Sequence, residues 1–350
     1  MMKLLKLGYL PGQQSMLIFH ALARMGFEGL IIVSPENPLA SVGYFQDAEN
    51  EVNINYCNKI GIPVMRREVG GGATYLDRNQ IFYQLIWHKG NPRFPRKIKD
   101  IFSYLSQPVC DTYQDFGIDT HFRPENDIVT KEERKISGEG GGDVGESMVF
   151  VGGILMDFNY QIMSKILKVP EEKFRDKIYK SMEENLTTMK RELGTMPDRE
   201  EVVQSLINNY EKLTGKLKPV TITSETIDKM KDLERWFTSN EFLYKKTPKT
   251  QRGVKIREGV EILYSTYKSG GGLIRTVQEI KKDVIEKIGI SGDFQFFPKS
   301  ELVGVEENLR ETKRKEKILI SKIEDFYEKH KVESPGVEPE DLTTAIIEAE

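Results

Sequence analysis

Cysteine is scarce in this chain. Two thiols, Cys57 and Cys110, in 350 residues are too few for a disulfide framework. Cys57 falls in a helix-like stretch and Cys110 follows Pro108 and Val109, so both read as small buried hydrophobes rather than nucleophiles. Histidine is almost as rare. His20, His88, His121 and His330 are too scattered to give a metal-ligand spacing or a Ser-His-Asp arrangement. Net charge is nearly absent, since 51 basic residues against 54 acidic ones leave −3. That balance gives no footprint for nucleic acid or an anionic membrane. No apolar run is long enough to span a bilayer. The first ten residues, interrupted by Lys3 and Lys6, lack the apolar core of a signal peptide and read as a strand. The absences leave a soluble chain, expected in the cytoplasm and long enough for two domains.

Glycine and paired cations stand out against this background. Residues 66 to 77 read Arg-Arg-Glu-Val-Gly-Gly-Gly-Ala-Thr-Tyr-Leu-Asp. Three glycines without Cβ let a ligand lie against backbone N–H groups, and successive N–H donors form a concavity for anions. Arg66 and Arg67 can add bidentate charge to a phosphate or carboxylate. The loop is not a Walker motif, because no Gly-Lys-Ser/Thr follows, and it is not Gly-x-Gly-x-x-Gly. The apolar run Ile81 to Trp87 reads as a buried strand. A second stretch, residues 126 to 138, reads as a hairpin: Asn126 to Val129, a polar turn, then Lys135 leading to Ser137 and Gly138. A lysine beside a glycine loop can neutralise a phosphate and polarise a carbonyl together. The bland alternative for each stretch is a solvated surface turn. Gly270 to Gly272 has no preceding cation pair and reads as a hairpin turn only.

Composition divides the chain. The strand-like runs and glycine motifs crowd into residues 1 to about 160, with a first helix over Gln14 to Arg24 and a strand at Leu30 to Val33. Tyr160 to Tyr210 is helical in pattern. Phe174, Ile178 and Met182 share one face, as do Val203, Leu206, Ile207 and Tyr210, and both stripes are expected in the core. Gly215 to Pro219 breaks the run and Ser224 restarts a helix reaching Trp236. We therefore expect a catalytic domain over 1–220, an accessory domain with its connecting helix over 221–330, and a mobile tail over 331–350. The tail holds two prolines, five glutamates and few bulky apolar residues.

The two motifs, in this order, resemble those of the lipoate–protein ligase family within the biotin and lipoate ligase superfamily. The family pattern of two arginines, three glycines, an alanine and an aspartate is met by Arg66, Arg67, Gly70, Gly71, Gly72, Ala73 and Asp77. Its later pattern is met by Asn126, Asp127, Lys135, Ser137 and Gly138. Val42 to Gln46, Asn55 to Val64, Gly152 to Asp157, the linker Leu167 to Pro170 with Lys173, and Ile290 to Phe294 are similar to further family segments. The chain departs from the family at Leu76 and Val151, where a histidine is usual. It departs again in the acidic, glycine-rich stretch Glu139 to Glu146, which reads as a flexible, solvated loop.

The resemblance implies an α+β fold, with a mixed-sheet catalytic domain and a small α+β accessory domain. It implies a ligase that joins lipoate and ATP into lipoyl-adenylate, with Mg2+ screening the phosphates. The lipoyl group would then pass to a lysine of a lipoyl-domain acceptor, of a 2-oxoacid dehydrogenase or the glycine cleavage system. Lys135 would touch acyl carbonyl and phosphate, and Arg66 or Arg67 would hold phosphate. Gly70, Gly71 and Gly72 would lie along the adenylate, with Ala73, Asp77, Asn126, Ser137 and Gly138 around the ligand. Asp127 would bind magnesium or the adenosine. Three other readings stay open: an acyltransferase without a cysteine intermediate, a biotin ligase, and a non-catalytic lipoyl-binding protein.

Overall fold

Eight of the nine residues from Gln80 to His88 are buried, and a run of that kind needs cover on both faces. In the computed structural model, which describes residues 1–169, 174–248 and 259–350, this run lies inside a six-stranded sheet. The strand order is Gly140–Val144, Ser147–Leu155, Gln80–His88, Gly29–Pro35, Lys3–Leu10 and Lys218–Pro219. The first three junctions are antiparallel and the last two parallel, so the sheet is mixed. Alternation along each strand sends side chains to two cores. Tyr83, Leu85 and Phe150 meet helices Ile98–Asp115 and Arg199–Thr214 on one face. Phe82, Ile86 and Val149 meet helix Gly12–Arg24 on the other.

A second sheet of four strands runs Glu261–Ser269, Gly272–Lys281, Val284–Gly292 and Thr312–Lys313. Gly270 and Gly271 make the expected tight turn between its first two strands. This sheet has its own core, with Ile274, Ile290, Leu319 and Phe326 among its members. The α+β architecture with a mixed sheet is as expected.

Three expectations change. Residues 331–350 are not a mobile tail: Pro339–Ile347 is a helix that buries Leu342, Ala345 and Ile346 in the accessory core. Composition hid a short apolar stripe at helical spacing. The stretch Glu139 to Glu146 is not a solvated loop. Gly140–Val144 is an edge strand paired with Ser147–Leu155, and Glu139 is buried. The turn falls at Gly145 and Glu146, where Gly145 has φ +58°. Helix Arg175–Asn185 has no fully buried residue, and of its expected stripe Met182 packs half-buried against a small core cluster, whereas Val203, Leu206, Ile207 and Tyr210 are buried in the main core.

The connecting helix Ser224–Phe237, which a division at residue 220 gives to the accessory half, packs Met230 and Phe237 into the core of the larger half. Pro170 and Lys173 of the linker, and residues 249–258, lie outside the described residues. Among the described residues, no helix is long and apolar enough to cross a membrane.

Candidate active site

The hairpin read from sequence is present. Strand Asp127–Thr130 pairs antiparallel with Lys135–Gly138, and the Thr130 N–H donates to the Arg134 carbonyl at 2.8 Å to close the turn. This register puts Lys135 Nζ 2.6 Å from Asp127 Oδ1. Asp127 Oδ2 accepts from Arg123 Nη2 at 2.9 Å. Burial pushes the Asp127 carboxyl pKa up, but Lys135 and Arg123 outweigh it and hold the group below the usual range. Under the lysine, Gly138 leaves space that a side chain would fill: a Cβ there would stand 2.7 Å from Lys135 Cε and Nζ. Asn126 fixes the hairpin's base, its Nδ2 donating to the Glu139 carbonyl at 2.8 Å.

The adjacent arginines do different things. Arg66 is fully buried. Its guanidinium donates to the carbonyls of Gly43, Tyr44, Gln46, Phe242 and Leu243 at 2.5–3.2 Å. Burial lowers its pKa to about 10. It has no free edge for a phosphate, so the expectation for Arg66 is corrected to a structural role. Arg67 turns the other way. Its Nη1 donates to Ser41 Oγ at 3.1 Å, and its Nη2 donates to the Gly70 and Gly72 carbonyls at 2.8 and 2.9 Å. Arg67 thus staples the glycine loop and lines the adjoining cavity.

That loop needs glycine for two reasons. Gly71 has φ +87°, a region that L side chains avoid. Gly70 has no room for a Cβ, which would stand 2.6 Å from the Phe294 carbonyl. The accessory segment after strand Val284–Gly292 therefore presses directly on the loop, and Lys299 reaches Glu68 at 3.6 Å across the same seam. Gly71, Gly72 and Ala73 face the cavity.

The cavity itself is about 510 Å³. Arg67, Arg123, Asn126, Lys135 and Gly138 form its polar part, and Met16, Phe19, Leu76, Phe82 and Val151 its apolar wall. Leu76 and Val151, the two departures from the family pattern, both belong to that wall. Met182 lines it too. Asp77 does not reach it. Asp77 sits in a smaller polar recess with Asn79 and Asp157, and burial raises its pKa. Sequence reasoning missed Arg123. The signal was available, because a cation flanking the first hairpin strand lies opposite Asp127 in register.

Ser137 faces the sheet rather than the cavity, donating to the Gly153 carbonyl at 3.0 Å. Glu139 Oε1, 2.9 Å away, competes for that single proton, and Tyr83 OH donates to the same oxygen at 2.6 Å. Burial pushes the Glu139 carboxyl up from 4.5 to about 7, against these hydrogen bonds and the Lys135 charge. A raised carboxyl pKa favours the neutral form in the fold. Stability is full below about 4.5 and is lost as pH rises toward 7. Glu139→Gln removes that loss. Denaturant melts are expected to show the variant gaining about 2–3 kcal/mol on the wild type between pH 5 and pH 8. Parallel stability profiles for the two proteins would refute this.

The donors do not compose a protein magnesium site. Both Asp127 oxygens face cations, and among the described residues no group of three or more His, Cys, Asp or Glu could hold a metal ion. The set does suit a nucleotide phosphate, for which Lys135 and Arg67 supply charge and donors, whereas the Gly70 and Gly71 N–H groups already donate to the Gly141 and Phe294 carbonyls.

The model of the lipoyl protein ligase A/B catalytic domain matches residues 18–211, more than half of the chain. The chain is 31% identical to lipoate-protein ligase A subunit 1 of Thermoplasma acidophilum over 212 residues, 56% of this chain and 79% of that one. It is 24% identical to octanoyltransferase LipM of Kyrpidia tusciae, over 60% of this chain and 84% of that one. A solved Thermoplasma acidophilum structure, described as a bi-partite lipoate protein ligase and its E2 lipoyl domain, superposes with a TM-score of 0.62 at 25% identity. It covers 72% of this chain and 98% of that one.

Proposed function

The chain belongs to the lipoyl protein ligase A/B catalytic-domain family, and from that premise we propose that it activates lipoate with ATP and transfers the lipoyl group to a lysine of a lipoyl-domain acceptor. The observation that carries the reading is the position of Lys135. Its ammonium lies over Gly138, paired with Asp127, in a cavity that joins an apolar wall to Arg67 and the glycine loop.

In the first step a lipoate carboxylate oxygen attacks the α-phosphorus of ATP, and the P–O bond to the departing pyrophosphate breaks. Lys135 meets the charge gathering between carbonyl and phosphate, and the Asp127 pair holds its side chain in place. Arg67, at the edge of the cavity, holds phosphate oxygens. In the second step the neutral amine of the acceptor lysine attacks the carbonyl of the mixed anhydride. The C–O bond breaks, AMP leaves, and the amine's proton passes to solvent. For the acceptor class, support comes from the Thermoplasma acidophilum protein, which is described with an E2 lipoyl domain.

The octanoyltransferase relative favours a second reading, in which the acyl group comes from a carrier and no ATP is used. Neither cysteine suits a thioester intermediate. Both are buried, and burial pushes the Cys57 thiol up to about 11 and the Cys110 thiol up to about 12. A Cys57→Ser, Cys110→Ser double variant is expected to retain acyl transfer to the acceptor. Loss of transfer, with an acyl thioester trapped on the wild-type protein, would refute the ligase reading. ATP–pyrophosphate exchange measured with and without lipoate tests the proposal directly: lipoate-dependent exchange supports the ligase, and its absence favours the transferase.

A further inference from the structure

The strand that flanks the Lys135 hairpin supplies a cation that the proposed chemistry leaves unused. Arg123 closes strand Thr120–Arg123, lines the cavity, and keeps 41% of its side chain exposed. One terminal nitrogen, Nη2, donates to Asp127 Oδ2 at 2.9 Å. The other, Nη1, meets the exposed Glu133 carboxylate only at 3.8 Å. Among the described residues, Nε and Nη1 make no hydrogen bond, so most of the fork is free. The other cations of the cavity are more committed. Arg67 is buried and spends both terminal nitrogens on Ser41 and on the Gly70 and Gly72 carbonyls. Lys135 is given to the acyl carbonyl and to the phosphate that joins it.

The sheet register places it. In the three-stranded sheet of Thr120–Arg123, Asp127–Thr130 and Lys135–Gly138, Arg123 pairs with Asp127 and Asp127 pairs with Gly138. The Lys135 ammonium lies over Gly138, where a Cβ would stand 2.7 Å from Nζ. The row across the sheet is therefore guanidinium, carboxylate, ammonium. Each Asp127 oxygen holds one cation, at 2.9 and 2.6 Å. One carboxylate thus keeps two cations side by side, within reach of neighbouring phosphates of one chain, and leaves the row a net positive charge. Among the described residues, no group of three or more His, Cys, Asp or Glu could hold a metal ion. Charge that screens the outer phosphates therefore comes from such side chains or arrives with the nucleotide.

We propose that Arg123 binds the β- and γ-phosphates of the nucleotide, next to the α-phosphate that Lys135 meets. This rests on the reading of the cavity as a nucleotide site. When the carboxylate oxygen attacks the α-phosphorus, the electron pair of the breaking P–O bond leaves with pyrophosphate, whose charge rises. A planar guanidinium with free donors suits that group, and Asp127 already holds it in place at the moment of reaction. Arg123 stands three residues before Asn126, where the family pattern of this hairpin begins, so the motif does not account for it.

The test is calorimetric titration of the full chain with ATP and with AMP, for wild type, Arg123→Met and Arg123→Lys. Arg123→Gln is a second neutral variant, and thermal melts identify which proteins are folded. ATP carries the two phosphates in question and AMP lacks them. The advantage of ATP over AMP is expected to shrink about tenfold in either folded neutral variant. It is expected to return in large part with lysine, which restores the charge without the fork. In pyrophosphate exchange, the KM for pyrophosphate rises in the neutral variants while the KM for lipoate holds. Equal weakening of ATP and AMP would assign Arg123 to the adenosine or to the support of Asp127, and would overturn the proposal. An unchanged ratio would overturn it too. If the wild type binds neither nucleotide, and lipoate supports no pyrophosphate exchange, the function reading falls and takes this inference with it.

Discussion

Replacing Lys135 by alanine is expected to abolish ATP–pyrophosphate exchange while leaving the melting temperature nearly unchanged. Charge that develops between carbonyl and phosphate loses its one ammonium partner, an effect of about 3 kcal/mol or more, and hence at least a hundredfold in rate. Stability is spared because the Lys135 side chain is 37% exposed and Asp127 keeps its bond to Arg123. An exposed or half-exposed ion pair contributes little to folding. Near-normal exchange in a folded variant would remove Lys135 from the chemistry.

Arg66→Ala is expected to do the reverse, acting on the fold before the reaction. Removing the guanidinium strands five carbonyls in a buried interior. A loss of about 3 kcal/mol or more follows, lowering Tm by roughly 4–6 °C. Thermal melts, with exchange measured per folded molecule, separate the two arginines. If Arg66→Ala keeps its melting temperature but loses phosphate affinity, the assignment of Arg66 to the fold is wrong.

Strand geometry alone accounts for part of the contrast between the arginines. Arg66 closes the short strand Val64–Arg66, and along a strand neighbouring side chains point to opposite faces. Two adjacent arginines could not both face one ligand. Which of them faces inward has no local signature, because the carbonyls that fix Arg66 come partly from residues 242 and 243. The hairpin bearing Lys135 was legible because its signals are local: two short apolar runs about a polar turn. The glycine loop was legible as a place of close approach, but half of what approaches it is the accessory segment at Phe294, far along the chain. Glu139 to Glu146 misled because glycines and acids usually mean solvent. Here the glycines are the strand. At Gly141 and Gly142, a Cβ would stand 2.9 Å from Phe102 and 2.8 Å from the Glu68 carbonyl.

Arg66 also bears on how the chain is made. Its guanidinium reaches forward 177 residues to the Leu243 carbonyl. A nascent chain that has emerged only as far as the connecting helix already contains the glycine loop, Lys135 and both sheet faces. It does not yet contain the carbonyls of Phe242 and Leu243, so Arg66 stands half-bonded next to Arg67, the staple of the loop. Ribosome-bound or truncated chains ending before residue 240 would carry the glycine loop and Lys135 yet hold the loop loosely, until this late segment and the accessory segment at Phe294 dock.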